Sequence, residues 1–224
     1  MIRMEDETKQ LKENEPGSAL THFLGFLFSL GGAAVLILNA VRFGGPWHVV
    51  GFSIYGTSLM LLYLASTLYH YVPITSAAKR TFQKIDHAMI FVLIAGTYTP
   101  ITFLFPQRDW GWWLFGIIWT LAIGGIVMKA FGIGIRAWFS ALPYIGMGWL
   151  ILVAYGEMSH FLPYDALWWL TMGGVFYTVG AVFFGLDYYF RRTRWFGMHE
   201  IWHIFVLAGS ACHFWVMYRY LVHV

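Results

Sequence analysis

The residues of this 224-residue chain best suited to chemistry gather in HEIWH, His199 to His203. Two histidines four apart on a helix project to the same side, one turn above the other, and so form a ready chelate for a transition metal. A polar pair at the edge of a bilayer is costly unless something binds it. The bland alternative is two interfacial imidazoles that hydrogen-bond to headgroups or backbone. The same letters fit HExxH, in which the intervening acid, here Glu200, is the general base of a metalloprotease. Glu200 also suits a simpler role as an early helix acid that faces headgroups near Arg194 and complements the positive helix end.

These residues need elements to hold them, and composition says which kind. The chain is 59% hydrophobic, 20% aromatic and only 11% charged. A soluble domain of this length carries about twice that charge. Several apolar runs approach or exceed the roughly 20 residues that a spanning helix needs. The expectation is an all-α, polytopic membrane protein with seven spanning helices, at about 18–41, 48–70, 85–105, 110–130, 137–155, 166–190 and 198–221. Gly and Pro punctuate the breaks, as in FGGPWH and PITSAAKR. Pro100 and Pro143 are expected to kink spans three and five. Residues 1–17 read as a polar cytoplasmic tail and 18–224 as a single membrane domain. The tail is rich in acids, and the apolar run after it is too long for a cleaved signal peptide. The lone Cys212 excludes an intrachain disulfide or a cysteine cage.

Lys and Arg set the orientation. Arg3, Lys9, Lys12, Lys79, Arg80, Lys84, Lys129, Arg136, Arg191, Arg192 and Arg194 fall on one side of the seven spans, and only Arg42, Arg108 and Arg219 on the other. That asymmetry predicts a cytoplasmic N-terminus and an outer C-terminus. A formal charge of +3 is too small to suggest a nucleic-acid partner; the partners expected are membrane lipids.

On this topology His70 closes the second span, Asp86 opens the third, and His199 with His203 opens the seventh. Ser66 lies one turn before His70 on its face. Ionisable groups from three helices thus fall at one depth, at the cytoplasmic end. Three imidazoles suit Zn²⁺, and three protein ligands leave one position for water, a nucleophile near neutral pH. Asp86 either completes the shell or serves as general base; the open layout favours the base. Ser66 then orients Asp86, the water or a substrate carbonyl. His22, Asp187, His213 and Glu200 are weaker candidates for a surrounding shell. His213 lies fourteen residues from His199, near the spacing of stacked haem ligands, but no second helix carries a matching pair. Asp187 also suits a helix-end pairing with Arg191. His48, His160 and His223 are expected in outer loops or at the terminus.

Three separated stretches, SIYGTSLMLLYLASTLYH, KIDHAMIFVLIAGTYTP and GMHEIWHIFVLAGSACHFW, together with SALTHFLG, resemble the hemolysin III proteins. These are the short bacterial branch of the progestin and adiponectin receptor family. The resemblance implies a seven-helix bundle in the plasma membrane with an inner-side zinc on His70, His199 and His203. It implies that Asp86 holds the zinc-bound water and that Ser66 is the matching serine. Relatives in the wider superfamily look like lipid amidases, which makes a ceramide-like lipid the implied substrate class.

Two functions follow, a zinc hydrolase acting on a lipid amide or ester and a non-enzymatic sensor of membrane state with a structural zinc. A cytolytic, haemolysin-like protein and an intramembrane metalloprotease are lesser alternatives.

Overall fold

A computed structural model describes residues 15–73, 75–133, 141–187, 189–190 and 195–224. Expectations for the tail before Glu15, for Arg136 and the start of the fifth span, and for Arg191, Arg192 and Arg194 lie outside the described residues. The elements are α1 (Pro16–Phe43), α2 (Pro46–Tyr71), α3 (Lys79–Phe103), α4 (Arg108–Ala130), α5 (Leu142–Trp149), α6 (Tyr155–Met158), α7 (Tyr164–Leu186) and α8 (Met198–Arg219). Six of these helices are long and apolar enough to cross a membrane, and Leu142–Met158 forms a shorter apolar seventh. The described residues thus fit a bundle of seven helical spans.

Local sequence explains the boundaries. Proline opens α1 and α2 within their first helical positions, where its missing N–H costs nothing. The first break is only Gly44 and Gly45, so α1 and α2 pack as antiparallel neighbours. Successive pairs from α1 to α4 adjoin, α7 adjoins α8, and α8 returns against α1 to close a ring. The fifth span touches α3, α4 and α7. Large side chains such as Phe28, Val41 and Trp113 remain exposed on the outside. That pattern is expected where lipid rather than water covers the outer face. Small residues let backbones approach: a Cβ on Gly56 would stand 2.6 Å from the Cβ of Ala33.

The fifth span departs from expectation. Pro143 does not kink it but sits in the first turn of α5. The interruption comes later, where Leu150–Ala154 tightens into a 3₁₀ segment before the short α6. Its cause is Tyr98 of α3. The Tyr98 hydroxyl reaches Met147 O at 2.8 Å and Gly148 O at 2.9 Å, and it accepts from Ile151 N–H at 2.7 Å. In an uninterrupted helix Ile151 N–H would bond to Met147 O; the phenol is inserted into that rung instead. Pro100, by contrast, lies inside an α3 that runs on to Phe103. His48 also departs from its expected loop. It lies in the first turn of α2, where its Nδ1 accepts from Gly45 N–H at 3.0 Å.

Tyr98→Phe leaves Ile151 N–H and the Met147 carbonyl without that partner in a buried setting. The expected loss is about 1–3 kcal/mol, or a melting temperature lower by roughly 2–10 °C. Thermal unfolding in detergent measures it.

Candidate metal centre

Four helix ends meet at one end of the bundle: the starts of α1, α3 and α8 and the end of α2. His70 sits in the last turn of α2, and His199 and His203 sit in the first two turns of α8. The i, i+4 spacing puts both α8 rings on one side, as the sequence requires. The three ring centroids form a nearly even triangle: His70–His199 at 4.9 Å, His70–His203 at 5.0 Å and His199–His203 at 4.7 Å. One ligand nitrogen from each ring lies within 4.8 Å of the others. Among the described residues this is the only such group of three potential ligands.

Which nitrogens face inward follows from what holds the other side of each ring. His70 Nδ1 lies 2.5 Å from Glu15 Oε2, and His199 Nδ1 lies 3.7 Å from Asp187 Oδ2. His203 Nδ1 lies 3.2 Å from the Ser18 carbonyl and 3.0 Å from Thr21 Oγ1. A carbonyl only accepts, so His203 Nδ1 carries the proton. The Thr21 hydroxyl gives its own proton to Ser18 O at 2.9 Å, leaving its lone pairs for the imidazole. The Glu15 carboxylate puts the Nδ1 proton on His70 in the same way, while Asp187, at 3.7 Å, lies near His199 Nδ1 without a hydrogen bond to it. His70 Nε2 and His203 Nε2 are left with a lone pair for a metal, and acceptors of this kind fix the tautomer and raise ligand basicity.

The spacing fits the chemistry. His70 Nε2 and His199 Nε2 are 3.3 Å apart. Two nitrogens each about 2.0–2.1 Å from a tetrahedral zinc ion would be separated by about 3.3–3.4 Å.

Glu15 escaped the sequence reading, which placed it in the polar tail. Its backbone N–H bonds to His70 O at 3.3 Å, and its carboxylate bridges His70 and Lys79 of α3, with Lys79 Nζ at 3.6 Å. An acid followed by Pro16 was the available signal. A proline starts a helix, and the acid before it is carried along with the helix.

The other expected site residues divide. Asp86 lies two turns inside α3, buried, and faces the same cavity as the buried Ser66. Asp86 is not one of the clustered ligands, but it lines the same cavity as Ser66, His199 and His203. Asp187 reaches His199 as described. His22 stacks face to face on His203, with centroids 3.5 Å apart and planes 9° from parallel. His213 lines the far part of the cavity, ten residues or about 15 Å along α8 from His203, and its Nε2 lies 3.3 Å from Leu170 O. Glu200 requires a correction. It does not face headgroups; it is 3% exposed and accepts a hydrogen bond from Ser18 Oγ of α1. The Ser18 carbonyl meanwhile takes His203 Nδ1, so one α1 residue grips two neighbouring α8 side chains. Cys212 is buried, as expected of a small apolar residue.

The cavity runs from the histidines between α3, the fifth span, α7 and α8, and its deeper walls are apolar, among them Leu93, Ile94, Met158 and Leu167.

Glu15→Ala is expected to weaken metal binding by about 10- to 100-fold, the usual effect of losing an outer partner of a ligating histidine. Competition against a chromophoric chelator reads this directly. His70→Ala should carry no stoichiometric metal.

Comparison with known proteins shows the family. The family profile described as haemolysin-III related matches residues 10–214. Over 216 residues the chain is 40% identical to Hemolysin-3 of Bacillus cereus, covering 95% of this chain and 94% of that one. Over 212 residues it is 38% identical to the Hemolysin-3 homolog of Bacillus subtilis (strain 168), covering 95% and 96%. The human Monocyte to macrophage differentiation factor is 29% identical over 182 residues, covering 78% and 72%. The chain belongs to the haemolysin-III related family and is a multi-pass protein of the plasma membrane.

Proposed function

We propose that the protein is a zinc-dependent hydrolase that cleaves an acyl amide, ceramide-like, or an acyl ester of a membrane lipid at the cytoplasmic side of the bilayer. The observation that carries this reading is a buried carboxylate, Asp86, lining the same largely apolar cavity as His199 and His203, which converge with His70. Zinc held by His70, His199 and His203 would supply Lewis acidity toward a carbonyl and a lowered pKa for water.

The protein's own residues supply the rest. Asp86 takes a proton from the attacking water and returns it to the leaving nitrogen or oxygen. Ser66 holds the Asp86 carboxylate in place. The apolar walls between Leu93 and Leu167 accept the acyl chain, and the distance to His213 leaves about 15 Å for it along α8. Burial removes competing water from the carbonyl.

A second reading has its own support: the metal as a clasp in a membrane-state sensor. Its ligands come from α2 and α8, and their supports from the entry to α1 and the exit of α7, so one ion would tie the closure of the ring. The protease reading loses support, because Glu200 is engaged by Ser18 and is not among the residues that line the cavity. A cytolytic activity draws only on the names of the family and of its Bacillus relatives.

Purified protein given acylated lipids is expected to release free fatty acid. Asp86→Asn should slow that release by about 10²- to 10⁴-fold, the range for a lost general acid–base group, while retaining metal. Release unaffected by Asp86→Asn contradicts the assignment. Chelation that lowers thermal stability in a protein that turns over no lipid favours the clasp.

A further inference from the structure

His22 is the one buried imidazole at this end of the bundle whose polar atoms are unaccounted for. It is 3% exposed, and neither Nδ1 nor Nε2 has a hydrogen-bond partner among the described residues. One face lies against His203 and Tyr63 meets it edge-on, with centroids 5.1 Å apart. The ring also lines the cavity, together with Ser66, Asp86, His199 and His203.

Stacking alone does not call for histidine. A phenyl ring would pack against His203 and Tyr63 as well, without a buried donor and acceptor. Nor does His22 serve the orientation of His203, since Ser18 O and Thr21 Oγ1 already fix that ring through Nδ1. A neutral imidazole offers one N–H and one lone pair, and both are costly to bury unused. Ser18, Thr21 and His22 lie within about one turn of α1, so the helix that orients His203 also delivers a second ring to the cavity wall.

We infer that His22 is a substrate-contacting residue: its ring N–H donates a hydrogen bond to the carbonyl oxygen of an acyl group seated beside the three histidines. The inference rests on the hydrolase reading above and names its acyl carbonyl as the group recognised. No proton is transferred in this contact. The hydrogen bond strengthens as the oxygen gains charge, which is the behaviour of a donor placed for the transition state. A fixed donor at this point favours acyl amides and esters over apolar ligands that merely fill the cavity.

The test uses full-length, metal-loaded protein and a long-chain hydroxamic acid as an acyl-carbonyl probe that also binds zinc. Three quantities are read on wild type, His22→Phe and His22→Gln: metal content, probe affinity, and fatty-acid release from an acyl amide. His22→Phe should keep its metal, bind the probe at least tenfold more weakly and lose about 10²-fold in kcat, the cost of removing one such donor. His22→Gln, which keeps an N–H, should recover part of both; if the phenyl variant fails to fold, the comparison rests on His22→Leu against His22→Gln. Metal retained with unchanged probe affinity in the apolar variant overturns the inference while leaving the hydrolase reading intact. Loss of metal in that variant overturns it too, by reducing His22 to a support for His203. Wild type that binds metal but neither the probe nor any acyl lipid removes the hydrolase reading, and this inference with it.

Discussion

Three imidazoles from two helices converge until one nitrogen of each lies within 4.8 Å of the others, His70 and His203 buried and His199 partly so. Two outward nitrogens are committed to acceptors, His70 Nδ1 to Glu15 and His203 Nδ1 to Ser18 with Thr21, while His199 Nδ1 lies 3.7 Å from Asp187. His70 Nε2 and His199 Nε2 then approach to 3.3 Å, a separation that either one N–H···N hydrogen bond or one shared cation satisfies. The three rings could hold one cation between them, and the contacts of this bundle end keep them together.

The constraint reaches well beyond the ligands. The entry to α1 is drawn to the end of α2 by Glu15 and to the start of α8 by Ser18, Thr21 and His22. The exit of α7 is held by Asp187. Glu200, fixed by Ser18, strengthens the same α1–α8 contact that closes the ring. Since lipid offers helices little hydrophobic reason to associate, polar contacts of this kind and close packing at small residues carry the assembly. The open side of the ring is different. There the fifth span is broken by the Tyr98 hydroxyl, and the cavity lies along it. One end is tied by polar contacts while the interior stays apolar, a division suited to a polar reacting group on an apolar chain.

What could be read from the chain followed from periodicity and length. Runs of apolar residues gave all seven spans, six of them as long helices with ends close to those expected. The i, i+4 pair His199 and His203 and the helix-end position of His70 were legible because each depends only on counting residues along a helix. Asp86, by contrast, was expected to open the third span but lies two turns inside α3, which begins at Lys79. Contacts between distant helices were not legible. Nothing in the local sequence says that Glu15 reaches His70, that Ser18 captures Glu200, or that a tyrosine on α3 opens a rung of the fifth span. Glu200 misled because its place in the first turn of α8 suggested the helix dipole and headgroups, whereas the neighbouring α1 decided its surroundings. His22 was visible only as a residue near the right depth; its stacking on His203 required the closure of the ring.

X-ray absorption at the metal edge of the purified protein addresses the central claim most directly. One zinc ion per chain should show three nitrogen scatterers at about 2.0–2.1 Å with imidazole outer shells. A fully folded chain without stoichiometric metal, or an ion lacking imidazole ligands, would contradict it.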